Sequence, residues 1–125
     1  MAVYSKFVIL VVDDEKPIRD LVRSILTRAG YEVTEAADAR EAMGILHDHS
    51  PDILLTDIVM PGLSGLGLAA QAHQIRPKLP VMFMSGFAQQ YEDELSGSVC
   101  LRKPFTSGQL LAAVEDVLSL KRPRG

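Results

Sequence analysis

Residues 7 to 17 read Phe7-Val8-Ile9-Leu10-Val11-Val12-Asp13-Asp14-Glu15-Lys16-Pro17. An uninterrupted apolar run rich in valine and isoleucine is the signature of a strand covered on both faces, because a strand with one wet face alternates apolar with polar. Three acids in succession end the run. Pro17 then suits the first turn of a helix, where the missing N–H costs nothing. Ile18, Leu21, Val22, Ile25 and Leu26 follow at spacings of three and four, an amphipathic stripe, and Gly30 suits its C-terminal stop. A buried strand, an acidic turn and a helix in immediate succession form the first half of a βαβ unit.

The same alternation continues outward. Tyr31 to Ala36 reads as a less buried strand, suited to an edge because Glu32, Thr34 and Glu35 interrupt it. Asp38 with Glu41 forms a capping box for a second helix, with Ala39, Ala42, Met43 and Leu46 on its inner face. Ile53 to Thr56 is a third strand. After Met60-Pro61-Gly62 a third helix runs from near Ser64 to before Pro77, with Leu68, Ala69, Ala72 and Ile75 inward. Val81 to Met84 and Val99 to Leu101 are two further strands, and Thr106 with Gln109 caps a last helix that turns Leu110, Val114, Val117 and Leu118 inward. Residues 86 to 98 are weakly patterned, and Gly86 with Ser96-Gly97 leaves Ala88 to Leu95 room for only a short helix. Five strands separated by helices require parallel pairing through right-handed crossovers. The expected class is α/β: a flavodoxin-like three-layer sandwich around a five-stranded parallel sheet of order 2-1-3-4-5.

Composition narrows the function. A chain of 125 residues with 47% hydrophobic content suits one globular domain, expected over residues 1 to 120, with residues 121 to 125 as a flexible tail or linker stump. One cysteine, Cys100, rules out an intrachain disulfide, and the longest apolar run is far short of the ~20 residues of a membrane span. With no targeting peptide visible, the expected location is cytoplasmic, with no membrane partner. Lys121, Arg122 and Arg124 sit in the tail, so residues 1 to 120 hold ten cations against 16 acids, a formal charge of −6. An acidic body argues against direct contact with nucleic acid.

In a sheet of this order, ligands bind beyond the carboxyl ends of the strands, at the switch point between the first and third. Reading just past each strand gives Asp13 and Asp14, then Asp57, Ser85 and Lys103. Any one of these alone is an ordinary turn former or solvated side chain. Together, three carboxylates on one rim repel by about 4 kcal/mol per pair at ~4 Å and need a cation. Hard oxygen donors suit Mg²⁺. A carboxylate beside a divalent ion is able to attack a phosphoryl group, while the metal and a lysine neutralise charge on the equatorial oxygens. Central Asp57 is the candidate nucleophile, Asp13 and Asp14 the metal-holding pair, Lys103 the opposing cation and Ser85 a hydrogen-bond donor to phosphoryl oxygen.

Val11-Val12-Asp13-Asp14-Glu15, the run from Leu54 to Gly62, Ser64-Gly65, Met84-Ser85-Gly86 and Lys103-Pro104-Phe105 together resemble the CheY-like receiver domains of two-component response regulators, over roughly residues 5 to 120. The resemblance implies that Asp57 accepts a phosphoryl group from a sensor histidine kinase or a histidine phosphotransfer protein in a Mg²⁺-dependent reaction. It also implies metal ligation by Asp14 directly, by Asp13 through water, by phosphoacceptor Asp57 and by the Val59 backbone carbonyl. Lys103 would contact the phosphoryl group, Ser85 would act as the hydroxyl switch, and the Lys103-Pro104 bond would be cis. Such a domain is a signalling switch, not an enzyme, catalysing only its own phosphorylation and dephosphorylation. Its downstream protein target is left unknown. Three positions depart from the family: Cys100 replaces a usual aromatic, Ser64 stands where Asp or Asn is frequent, and the span from Ser85 to Lys103 is about one helical turn short. Val59 and Phe87, each two residues past a marker, are apolar and placed to screen an attacking water, which predicts slow self-dephosphorylation.

Other readings fare worse. Gly62, Gly65 and Gly67 do not follow G-x-G-x-x-G spacing, and the acids after the first strand would repel the phosphate of a nucleotide or flavin. A dehalogenase-like phosphatase lacks its second acid, because Val59 holds that place. His47, His49 and His73 lack partners at metal-ligand spacing and read as surface or packing residues. A phosphorylation-independent protein-binding adaptor with the same fold is the alternative from a different class. The sequence leaves open a stand-alone regulator or a piece of a hybrid kinase or longer regulator.

Overall fold

A computed structural model describes residues 6 to 86 and 98 to 119. The described elements run β1 (Val8–Val12), α1 (Lys16–Arg28), β2 (Glu32–Ala36), α2 (Ala39–Asp48), β3 (Ile53–Asp57), α3 (Gly65–Ile75), β4 (Val81–Ser85), β5 (Val99–Arg102) and α4 (Ser107–Ser119). All pairings are parallel and the order is β2-β1-β3-β4-β5, as the alternation required. The weakly patterned Ala88 to Leu95 and the tail from Lys121 lie outside the described residues.

The period of two along each central strand divides the core. Ile9 and Val11 on β1, Ile53 and Leu55 on β3, and Met82 and Met84 on β4 pack with Val22 and Leu26 of α1 and with Leu110, Val114 and Leu118 of α4. The intervening Leu10, Val12 and Leu54 face the other way, onto Ala42 and Leu46 of α2 and Leu68 and Ala72 of α3. A three-layer sandwich follows from this alternation, and each fully buried Leu or Ile contributes about 1.5–3 kcal/mol of apolar burial. Two expected core positions belong elsewhere. Leu21 is 51% exposed and Ile75 lies at the surface, each at the margin of its stripe.

Helix ends are set locally. Asp38 Oδ1 accepts from the Glu41 N–H at 2.8 Å, while the Glu41 carboxylate takes the Ala37 N–H, one residue before the cap that the box pattern assigns. Thr106 and Gln109 exchange both bonds, at 2.9 and 3.1 Å, and Ser64 Oγ accepts from the Gly67 N–H at 3.2 Å. Gly30 follows α1 with φ of +99°, a left-handed conformation that explains the stop there.

One contact decides how close α3 comes to the site. The Gly65 N–H donates to the Ile58 carbonyl at 2.9 Å, and a Cβ at Gly65 would collide with the backbone carbonyl of Asp57. Only glycine lets the helix start against the end of β3. Gly65→Ala should therefore destabilise the fold by about 1–3 kcal/mol, the range for overpacking against a rigid neighbour. Urea unfolding measures this, and a midpoint equal to that of the unmutated protein would show that the loop yields freely.

Candidate functional site

The carboxyl ends of the strands deliver the polar residues to one rim. Asp13 follows β1 directly, Asp57 is the last residue of β3, Ser85 the last of β4, and Lys103 follows β5. Among the buried residues of the described chain, only Asp13, Thr56, Asp57 and Ser85 are polar, and all four stand at or beside this rim. Oxygens of Asp13, Asp14 and Asp57 lie within 4.8 Å of one another. The acids drawn from the sequence are thus brought together, with Asp13 and Asp57 buried and Asp14 exposed to water.

Lys103 holds two of them. Its Nζ donates to Asp13 Oδ2 at 3.0 Å and to Asp57 Oδ2 at 3.0 Å. The remaining oxygens are also engaged: Asp13 Oδ1 accepts from the Glu15 N–H at 2.9 Å, and Asp57 Oδ1 from the Val59 N–H at 3.3 Å. Ser85 is buried beside this pair, in register with Arg102, and its carbonyl takes the Lys103 N–H at 3.0 Å. The Lys103-Pro104 bond is cis, as the resemblance implied. Val59 is 47% exposed, so its side chain is not in the core, while its N–H meets Asp57 at the rim. Phe87 lies outside the described residues.

The charges follow from burial and pairing. Burial pushes the Asp57 carboxyl above its ordinary value; the Lys103 ammonium pulls it back only in part, and the Asp13 charge adds to the rise. Burial opposes the Lys103 ammonium, but its bonds to Asp57 and Asp13 outweigh that and raise its pKa. Three carboxylates against one lysine leave a formal charge of −2 on the cluster. Carboxylate oxygens so arranged match the donor set of a small hard dication, so the residues present fit Mg²⁺.

Sequence reasoning passed over one neighbour. Arg19, on the first turns of α1, donates from Nη1 to the Asp13 carbonyl at 2.7 Å and lies 3.5 Å from Glu35 Oε1 on β2. The available signal was a basic residue one helical turn past the acids, facing an acid near the end of the neighbouring strand. The other departures have structural settings. Cys100 is half-buried against Ile58, Ala69 and Phe83, and burial pushes its thiol pKa up, away from a reactive thiolate. His73 Nε2 pairs with the Leu79 carbonyl at 2.9 Å, a packing role as expected.

A raised Asp57 pKa has a definite sign in stability. The folded state binds the proton more tightly than the unfolded chain, so stability is full below the ordinary value of 3.8 and falls as pH rises through the folded pKa. Asp57→Asn, which mimics the protonated acid, should melt higher than the parent in metal-free buffer at neutral pH, with the gap closing as the pH falls below that value. Thermal melts across pH read this directly; a parent protein as stable as the variant at neutral pH would contradict it.

Over residues 9–115 the sequence matches the family described as response regulator receiver domain. It is 31% identical, over 121 residues, to the phosphate regulon transcriptional regulatory protein PhoB of Pseudomonas aeruginosa, a match covering 92% of this chain and 53% of that protein. The chain thus spans about half the length of this curated relative. Among solved structures it is similar to a CheY-like response regulator receiver domain protein from Methanospirillum hungatei JF-1, with a TM-score of 0.86, 29% identity, and coverage of 94% of this chain and 97% of that one. The response regulator protein TrrA of Thermotoga maritima, solved in complex with Mg²⁺ and BeF, matches with a TM-score of 0.83, 29% identity, and coverage of 90% and 99%. The family match along most of the chain, together with the 2-1-3-4-5 sheet, shows that this protein belongs to the response regulator receiver domains of two-component signalling.

Proposed function

We propose that this domain accepts a phosphoryl group on Asp57 from the phosphohistidine of a sensor histidine kinase or histidine phosphotransfer protein, and that the modification alters its binding to a downstream protein. The observation that carries the reading is the clasp of Lys103 on Asp13 and Asp57 within a cluster of three carboxylates. In the transfer, an Asp57 oxygen forms a bond to phosphorus while the phosphorus–nitrogen bond to imidazole breaks, its electron pair leaving with the ring. Asp13, Asp14, Asp57 and the Val59 carbonyl would hold Mg²⁺, which would supply charge neutralisation on the phosphoryl oxygens. Lys103, already 3.0 Å from Asp57 Oδ2, is in reach of the phosphoryl group attached there and neutralises charge on its oxygens, and Ser85 donates to another phosphoryl oxygen. On this reading the domain acts as a switch. The TrrA structure supports the metal assignment, since that receiver was solved with Mg²⁺ and BeF.

Incubation with Mg²⁺ and acetyl phosphate, followed by intact mass measurement, tests this. One phosphoryl group should be added to the parent protein, and none without Mg²⁺ or in Asp57→Asn. A folded, Mg²⁺-binding protein that takes up no phosphoryl group would favour the phosphate-independent adaptor instead.

The lifetime of the modification follows from Val59. An apolar side chain at the mouth of the site offers an attacking water no hydrogen bond. Val59→Asn, alone or with Phe87→Glu, should speed loss of the phosphoryl group severalfold, measured as decay of the phosphorylated mass; an unchanged rate refutes the shielding role.

A further inference from the structure

Arg19 occupies a position that the phosphotransfer chemistry does not require. Its side chain is 14% exposed although it lies near the start of α1, where a basic residue is ordinarily free in water. The guanidinium is fixed from two sides. Nη1 donates to the Asp13 carbonyl at 2.7 Å, and Nε lies 3.5 Å from Glu35 Oε1. The other Glu35 oxygen accepts from Arg23 Nη1 at 2.8 Å. Glu35 in turn is fixed by the sheet, paired in register with Val11.

The Asp13 carbonyl belongs to the peptide unit that joins Asp13 to Asp14. That unit is planar, so holding its oxygen also fixes the Asp14 N–H and the direction in which the Asp14 Cα leaves. Asp13 needs little further restraint: its N–H is bound by the Ala36 carbonyl at 3.2 Å, and both carboxylate oxygens have partners. Asp14 is different. It is the exposed member of the triad, and among the described residues no donor holds its carboxylate. The Arg19 bond holds the peptide unit before Asp14, as the Glu15 N–H bond to Asp13 Oδ1 holds the one after it, and it is the restraint on Asp14 that comes from a side chain outside the acidic turn.

Resting on the metal-dependent reading above, we infer that Arg19, held by Glu35, is a positioning residue for the Asp13–Asp14 pair and sets the affinity of the site for a divalent cation. The guanidinium is suited to this because its planar fork reaches two acceptors at once, whereas a lysine ammonium on a flexible stem lacks that geometry. The direction of the effect is diagnostic. Arg19 is itself a cation beside a cation site, so by charge alone its removal strengthens Mg²⁺ binding. Loss of positioning weakens it.

Titration calorimetry of the full chain with Mg²⁺ separates these, with circular dichroism melts confirming that each variant is folded. Arg19→Met should weaken Mg²⁺ binding about tenfold, the scale on which partners of metal ligands act. Arg19→Lys restores the charge but not the fork and should stay weakened. Glu35→Gln should weaken binding less and add little to Arg19→Met, because the two act through one chain of contacts. A folded Arg19→Met variant that binds Mg²⁺ as tightly as the parent, or more tightly, overturns the inference and leaves the phosphoacceptor reading standing. Should that variant fail to fold, an unchanged affinity in Glu35→Gln overturns it equally. A folded parent with no Mg²⁺ affinity would overturn the metal-dependent reading and this inference with it.

Discussion

The Lys103 ammonium, shared between Asp13 and Asp57, joins segments 90 and 46 residues away along the chain. Without it, two buried carboxylates would face each other at the edge of an apolar core, and a like pair at the observed separation repels by on the order of 3 kcal/mol. A lysine of ordinary freedom would gain little from such a contact in water. Here it is backed by burial of both acids and by the Lys103 N–H bond to the Ser85 carbonyl, which fixes where the side chain begins. Geometry offsets the cost of desolvating the charges in part, with both buried acids bonded at each oxygen.

That geometry is available only because the sheet is parallel. Parallel strands all point the same way, so every strand ends at the same rim, and residues distant in sequence become neighbours. Alternation within β1 and β3 supplies apolar side chains to both helical layers at once, which anchors the strand ends that carry the charges. Gly65 completes the arrangement by letting α3 begin against the carbonyl of Asp57.

Much of this was legible in the sequence because it depends on period and punctuation. The apolar run from Val8 to Val12, the caps at Asp38, Ser64 and Thr106, and the residues that end the strands all act locally, and the sheet order follows from their alternation. The acid cluster was legible for the same reason, since a parallel sheet leaves no other place for residues at strand ends to go. Exposure at stripe margins was not: Leu21 and Ile75 obey helical spacing, but whether a margin is covered depends on the layer opposite. Nor was the Glu41 bond to Ala37, which the turn before the helix decides. Arg19 was the main omission. A long basic side chain on a helix is ordinarily solvent-bound, and only the placement of β2 beside β1 brings Glu35 and the Asp13 carbonyl within reach of one guanidinium.

The charge balance of the rim also bears on how the proposed modification of Asp57 would be felt. Asp57 is held in a charged state that burial disfavours, as its raised pKa records. Adding a phosphoryl group to Asp57 would place new negative charge within reach of a lysine that already serves two acids. Lys103 would then be drawn toward the group with the greater charge density, at the expense of its bond to Asp13. Because its backbone is tied to Ser85 at the end of β4 and leads straight from β5, that redistribution bears on the two strands farthest from β2. A local electrostatic event would thus reach the β4 and β5 side of the sheet through one side chain, without any need for the core to rearrange.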